Sequence, residues 1–260
     1  MKQPPFICLF CSSSSGPFTT IEHPIPESLG NDEMFIEPGW VCDTCNHYFG
    51  TKVEAAALNY PPFGIERVAA RVPTKKGKLP HFHSETGLWL LPSDFRDVLI
   101  LGVDREDQLL SHPGLSEGYL TFPHDPRQDF YIARMLIKMG LELLTQADEI
   151  DPYDSSFDNA RRFARYGSPG TFWEFGFAVY PRRDDLTISE RMDEHLGPLV
   201  THQLYEYSAG QLSDGSTGFC FVYSVFVFST LLSTPFIEEY LRGFNSLNHF
   251  QMQNVRAVAS

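Results

Sequence analysis

Four of the five cysteines stand in two tight pairs, Cys8-Leu-Phe-Cys11 and Cys42-Asp-Thr-Cys45. Two residues between thiolates let both sulfurs of a knuckle reach one ion at about 2.3 Å, and two such knuckles complete a tetrahedral shell. Residues 12 to 41 must therefore leave the first knuckle and return to it, folding as a small element between the pairs. Disulfides are the alternative use of four cysteines. The opening Met-Lys-Gln-Pro-Pro-Phe-Ile-Cys has no continuous apolar run of the secretory kind, so a reducing, cytoplasmic setting and a metal are expected instead. A module of about sixty residues with so few large apolar side chains cannot rely on a core of its own. Zinc would supply folding free energy on the order of 10 kcal/mol. Cys220, within Phe219-Cys220-Phe221-Val222, reads as a buried apolar residue rather than a ligand.

Between the knuckles runs Thr20-Ile21-Glu22-His23-Pro24-Ile25-Pro26-Glu27-Ser28-Leu29-Gly30, and directly after the second comes Asn46-His47-Tyr48-Phe49-Gly50. An imidazole takes a proton near neutral pH, while a carboxylate and an amide oxygen are hard ligands suited to Mg²⁺ or Mn²⁺. Cleavage of a phosphodiester needs both: an activated water and a cation that steadies charge on the phosphate and the leaving oxygen. In a regular strand Glu22 and His23 would point to opposite faces, so serving one centre requires a twist there. Taken alone, Glu22-His23 is an ordinary surface pair, Asn46 a helix N-cap and His47 an exposed helix residue.

The joint pattern over roughly residues 6–58 resembles the HNH endonuclease family, in the branch with an EHxxPxSLG strand followed by CxxCNxxFG opening a helix. The resemblance implies a zinc-bound ββα, treble-clef-like module. It implies Cys8, Cys11, Cys42 and Cys45 as ligands of a structural zinc, His23 as general base, and Glu22 with Asn46 as ligands of a catalytic Mg²⁺ or Mn²⁺. Two departures stand out. Where many members place a second His or Asn one turn along the helix, this chain has Gly50. The Asn that orients the base in many members has its counterpart here only in Asn31, close to the Glu-His pair, because the stretch before the second knuckle reads Phe35-Ile36-Glu37-Pro38-Gly39-Trp40.

A division near Asn59-Tyr60-Pro61-Pro62-Phe63-Gly64 is expected, with two prolines ending a helix from about Asn46 to Leu58. The fold class is then α+β: the ββα module over 1–60, followed by a larger mixed α+β domain over 61–260, suited to substrate choice or regulation. In that domain Arg67–Val72, Gly87–Leu91 and Val98–Val103 read as strands. Asp125 and Pro126 open a helix whose apolar face is Phe130, Ala133, Ile137, Gly140, Leu141 and Leu144. Ser155 to Tyr166 reads as a second helix stopped by Gly167, with Arg161, Arg162 and Arg165 at helical spacing. Thr201–Ser208 and Phe219–Thr230 read as late strands around a turn at Ser213-Asp214-Gly215, and Pro235–Phe244 as a short helix. The uncharged run Ser216–Ile237 is punctuated by serines and rich in Val, Phe and Tyr, so it predicts buried strands and no membrane span. His81 and His83 alternate as one strand face requires, without a matching acid or cysteine pattern.

Charge bears on partners. The formal net charge is −13. The concentrated basic stretch is Arg67, Arg71, Lys75, Lys76 and Lys78, the expected contact with a phosphate backbone. Three functions are in play: an endonuclease, acting on DNA rather than RNA; a zinc-dependent nucleic-acid-binding module without chemistry; and a protein-interaction module, which the acidic balance suits through a basic partner.

Overall fold

The computed structural model describes residues 2–74, 76–84, 87–94, 99–104, 126–168, 171–179, 204–237 and 254–256. The fold is mixed α+β: a four-cysteine cluster beside a helix, then further helices and two antiparallel sheets. Lys75, Asp125 and residues 201–203, which entered the expectations above, lie outside the described residues, as does the expected late helix beyond Ile237.

The second knuckle is itself the first turn of a helix. Cys42 sits at the N-cap with extended backbone, and its carbonyl accepts from the amides of Cys45 (2.9 Å) and Asn46 (3.0 Å). The helix thus begins at Asp43, three residues earlier than the reading from Asn46, because the spacing that lets two sulfurs meet one ion is already helical. Asn46 is inside the helix and is not its cap. The helix runs through α1 (Asp43–Tyr48), a π-helical stretch (Phe49–Glu54) and α2 (Ala55–Leu58). The intervening hairpin is reduced to one antiparallel bridge, Glu22 opposite Ile36, with the Ile36 amide donating to the Glu22 carbonyl at 2.8 Å.

Pro61 and Pro62 end that helix and begin the next. Tyr60 is extended, Pro61 takes the first helical position, and α3 covers Pro61–Ala69. The expected strand at Arg67–Val72 is therefore a helix end followed by a turn at Arg71 (φ 58°). Val68 packs against Phe82 and Leu90, so its apolar period belongs to a helix face and not to a pleat. Gly64 lets the Phe82 ring come so close that a Cβ would stand 2.4 Å from it. Phe82 belongs to β1 (Phe82–His83), which pairs with β2 (Leu88–Pro92), and β2 pairs with β3 (Leu99–Val103), all antiparallel.

The longest helix among the described residues, α4 (Pro126–Leu143), is enclosed on every side from Ile132 onward. Ile132, Met135, Leu136, Ile137, Met139 and Leu141 are all fully buried, and they surround the helix rather than striping it. Gly140 brings α4 against Leu232 and Phe219 of the larger sheet. A short 3-10 turn (Ser155–Phe157), its Asp154 side chain accepting from the Ser156 amide, leads into α5 (Asp158–Tyr166), which Gly167 ends. The larger sheet has the order β5-β6-β7-β4-β8, with β4 (Phe175–Val179), β5 (Tyr205–Gln211), β6 (Thr217–Tyr223), β7 (Phe226–Leu231) and β8 (Asn254–Arg256) all antiparallel. The uncharged run is thus the β6–β7 hairpin, turning at Ser224 (φ 54°). Pro235–Ile237, expected to begin a helix, is not helical. Among the described residues no helix is long and apolar enough to cross a membrane.

One contiguous apolar cluster joins these parts. It runs from Cys8, Leu9 and Phe10 through Phe49 and Val53 into α4 and α5, and on to Phe221 and Phe228 of the sheet. The knuckle segment, too poor in apolar residues for a core of its own, shares one with the rest of the chain.

Candidate zinc centre and active site

The four paired cysteines converge. Their sulfurs all lie within 4.8 Å of one another, and Cys11 Sγ is 3.7 Å from Cys42 Sγ. Thiolates bound at about 2.3 Å at tetrahedral corners stand about 3.8 Å apart, so the donor set has the dimensions of a zinc site. Cys8, Cys42 and Cys45 are buried, and the Cys42 amide donates to Cys8 Sγ at 3.4 Å. The electrostatics point the same way. The Cys45 thiol, donating to Cys8, holds Cys8 down to about 4, whereas burial first pushes Cys42 up to about 11, and that same donation pushes Cys45 up further. Four sulfurs this close cannot all ionise without a cation between them. A divalent ion removes the conflict, and zinc fits the set.

Helix α1 then pins the hairpin. Asp43 accepts from the amides of Thr19 (2.8 Å) and Thr20 (3.1 Å) and from both hydroxyls. Asn46 Nδ2 donates to Thr20 Oγ1 (3.1 Å) and to the Ile21 carbonyl (3.2 Å). Two residues on, His23 is one-quarter exposed, with Nδ1 3.0 Å from the Met34 carbonyl. A carbonyl only accepts, so Nδ1 carries the proton of the neutral ring and Nε2 is left as the basic nitrogen. Glu27 Oε1 stands 3.4 Å from that Nε2.

Asn31 braces this arrangement. Buried, it donates from Nδ2 to the carbonyls of Ile25 and Met34 (2.7 Å each) and accepts from the Met34 amide at 2.8 Å. It therefore holds the carbonyl that His23 leans on. Tyr205, at the start of β5, donates its hydroxyl to Asn31 Oδ1 at 3.1 Å, and Gln146 Nε2 donates to the Phe35 carbonyl at 3.0 Å. Neither contact has a signal in the sequence, because each joins residues more than a hundred positions apart.

Glu22 points into the interior. It is 6% exposed, and its Oε1 lies 2.6 Å from Lys138 Nζ on α4. That ammonium also meets Glu54 Oε1 (2.9 Å), Glu142 Oε2 (3.0 Å) and the His23 carbonyl (3.0 Å). Burial would push the Lys138 ammonium down, but Glu142, Glu22 and Glu54 outweigh it and hold it well above its ordinary value. Burial, with Glu22 as a like charge, pushes the Glu142 carboxyl well up. Glu22, which the resemblance implies as a ligand of a catalytic metal together with Asn46, has its carboxylate placed as an interior ion-pair partner of Lys138. For a catalytic Mg²⁺ or Mn²⁺ the remaining donor of the expected pair is the Asn46 amide oxygen, and among the described residues the grouped metal-ligand side chains are the four cysteines.

The residues of the basic stretch differ in exposure. Arg67 is half-buried with its Nε buried and lacking a hydrogen-bond partner, and Arg71 donates to the Ser93 carbonyl. Lys76 and Lys78 are exposed on a turn closed by Gly77 (φ 70°). On α5, Arg161 is buried and donates to the Pro152 and Tyr153 carbonyls, Arg162 is exposed, and Arg165 turns back toward the knuckles. His83 pairs with Asp104 at 3.1 Å on the surface, and His81 is exposed.

Two cysteine knuckles whose four sulfurs could hold one zinc ion stand beside a short histidine-bearing segment that α1 pins through Asp43 and Asn46. Residues 8–61 match the model of the HNH endonuclease family, a span that takes in both knuckles, the hairpin and the helix through α2, and leaves the rest of the chain unassigned. No curated protein and no solved structure matches the chain.

Proposed function

We propose that this chain is a divalent-metal-dependent endonuclease that hydrolyses phosphodiester bonds of nucleic acid, DNA in preference to RNA. The observation that carries the reading is the posture of His23 within the family-matched segment. Its Nδ1 is committed to the Met34 carbonyl, that carbonyl is braced by Asn31, and its Nε2 lies 3.4 Å from Glu27 Oε1 on a side chain one-quarter exposed. A ring so held takes a proton from water at Nε2, and the Glu27 carboxylate steadies the imidazolium that results. Asn46, on the same helix, would offer its amide oxygen to Mg²⁺ or Mn²⁺, which when bound supplies the positive charge that the scissile phosphate needs. Lys76 and Lys78 supply the described exposed charge for a phosphate backbone, with Lys75 between Thr74 and Lys76 in sequence.

The inward turn of Glu22 favours a second reading, a zinc-held binding module without chemistry, and the net charge of −13 suits a basic protein partner for it better than nucleic acid. Supercoiled plasmid incubated with the zinc-loaded protein and Mg²⁺ or Mn²⁺, beside an EDTA control, separates the two. The nuclease produces nicked or linear DNA only with the added metal. A retarded but intact plasmid in every lane supports the binding module instead.

A further inference from the structure

The four-cysteine cluster receives a cation from a part of the chain that the family match does not reach. Arg165, in the last turn of α5, donates from Nε to Cys45 Sγ at 3.2 Å, and its guanidinium carbon lies 3.9 Å from the centre of the Tyr48 ring. Tyr48 follows Cys45 by three residues on α1, so one residue of α5 touches both a cysteine of the second knuckle and the turn that carries it. The placement is built rather than incidental. Arg134 of α4 donates to the Ala164 carbonyl from Nε (3.0 Å) and from its terminal nitrogen (2.7 Å), to the Arg165 carbonyl (3.1 Å), and to the Tyr48 hydroxyl (2.8 Å). Arg134 is 2% exposed, so these are interior bonds that fix the end of α5 against the zinc helix.

We propose that Arg165 is the outer partner of the zinc site, its guanidinium neutralising part of the charge on the metal–thiolate cluster. Zn²⁺ with four thiolates carries a net charge of about −2, and a half-buried centre of that charge gains from a planar cation bonded to one of its sulfurs. Arginine suits the position because it stays charged, stacks on the tyrosine ring, and aims a fixed N–H at the sulfur. The helices of residues 126–168 thereby belong to the metal centre. The proposal stands whether or not the chain cuts nucleic acid.

The test uses the full chain with zinc, and with cobalt(II) in its place. Competition against a chromogenic chelator reads the zinc dissociation constant of wild type, Arg165→Ala, Arg165→Lys and, as a control, Arg162→Ala, whose side chain is exposed on the same helix. Loss of a bond to a metal ligand costs on the order of 10- to 100-fold in affinity. Arg165→Ala is expected to weaken zinc binding by about that factor, Arg165→Lys by less, and Arg162→Ala not at all. A purely structural effect is separated by the sulfur-to-cobalt charge-transfer band. Removing an N–H···S bond makes the thiolate a better electron donor, so in Arg165→Ala the band moves to longer wavelength. A zinc constant equal to wild type in Arg165→Ala overturns the proposal, and so does weakened binding with the band unmoved.

Discussion

The knuckle segment and helix α4 reach the same interior by opposite routes. In the knuckle segment the donors come within a few residues of one another, Cys8 with Cys11 and Cys42 with Cys45, and the sulfurs meet within 4.8 Å. In α4 the polar residues Arg134, Lys138 and Glu142 recur four apart, a spacing that ordinarily marks a solvated face, yet they are 2%, 0% and 0% exposed. Arg134 and Lys138 find partners in distant segments, Arg134 in Tyr48 and the end of α5, Lys138 in Glu22 and Glu54, while Glu142 pairs with Lys138 on the same helix. A metal site is written locally because one ion dictates the spacing of its ligands. A brace is written only in the surface it meets.

The largest effect that could break this contrast is loss of zinc. If the knuckle segment and α4 share one cooperative core, Cys42→Ser or exhaustive chelation removes stabilisation on the order of 10 kcal/mol, and α4 melts along with the hairpin. Hydrogen exchange resolved by segment checks this: protection lost from both regions together fits the shared core, whereas an α4 that stays protected in the metal-free chain separates them.

Next in size is the brace itself. Lys138→Met strands buried carboxylates and is expected to cost about 3–5 kcal/mol in denaturant unfolding. Adding Glu142→Gln should recover part of that loss, since one fewer acid is left without its cation. No recovery would mean that Glu142 is not part of the balance.

Smaller still is the contact from β5. Tyr205→Phe removes one hydroxyl from Asn31 and should cost about 1 kcal/mol in stability, with a lowered cleavage rate as the Met34 carbonyl loosens. On α5 the adjacent arginines sharpen the point further. Arg161→Ala should lower the unfolding midpoint, because its guanidinium holds the Pro152 and Tyr153 carbonyls, whereas Arg162→Ala should leave it unchanged.

The order of legibility follows from the same physics. The convergence of the cysteines, the mixed α+β class and the burial of the serine-punctuated run as β6 and β7 could be read from spacing and composition. The span Arg67–Val72 was misread because a short apolar period fits a helix face and a strand alike, and Pro61 was taken as an ending although it also starts α3. The apolar face of α4 was visible, but the charged stripe was not assignable, since only the packed surface decides whether such a stripe meets water or carboxylates. The pairing of Glu22 with Lys138 of α4 joins residues 116 positions apart, so it has no local signal. Tyr205 and Gln146 carry no pattern at all; they act on the hairpin only through the fold.

The most direct measurement compares two histidines near the same frame. His23 is braced at Nδ1 by the Met34 carbonyl, whereas His47 is exposed on the second knuckle's helix next to Asn46. With one zinc per chain confirmed in each variant, the Mg²⁺- or Mn²⁺-dependent cleavage rate of His23→Ala should fall by about 10² to 10⁴, the usual contribution of a general base. His47→Ala should cut at the wild-type rate. A zinc-loaded His23→Ala protein that cleaves as fast as wild type would contradict the account.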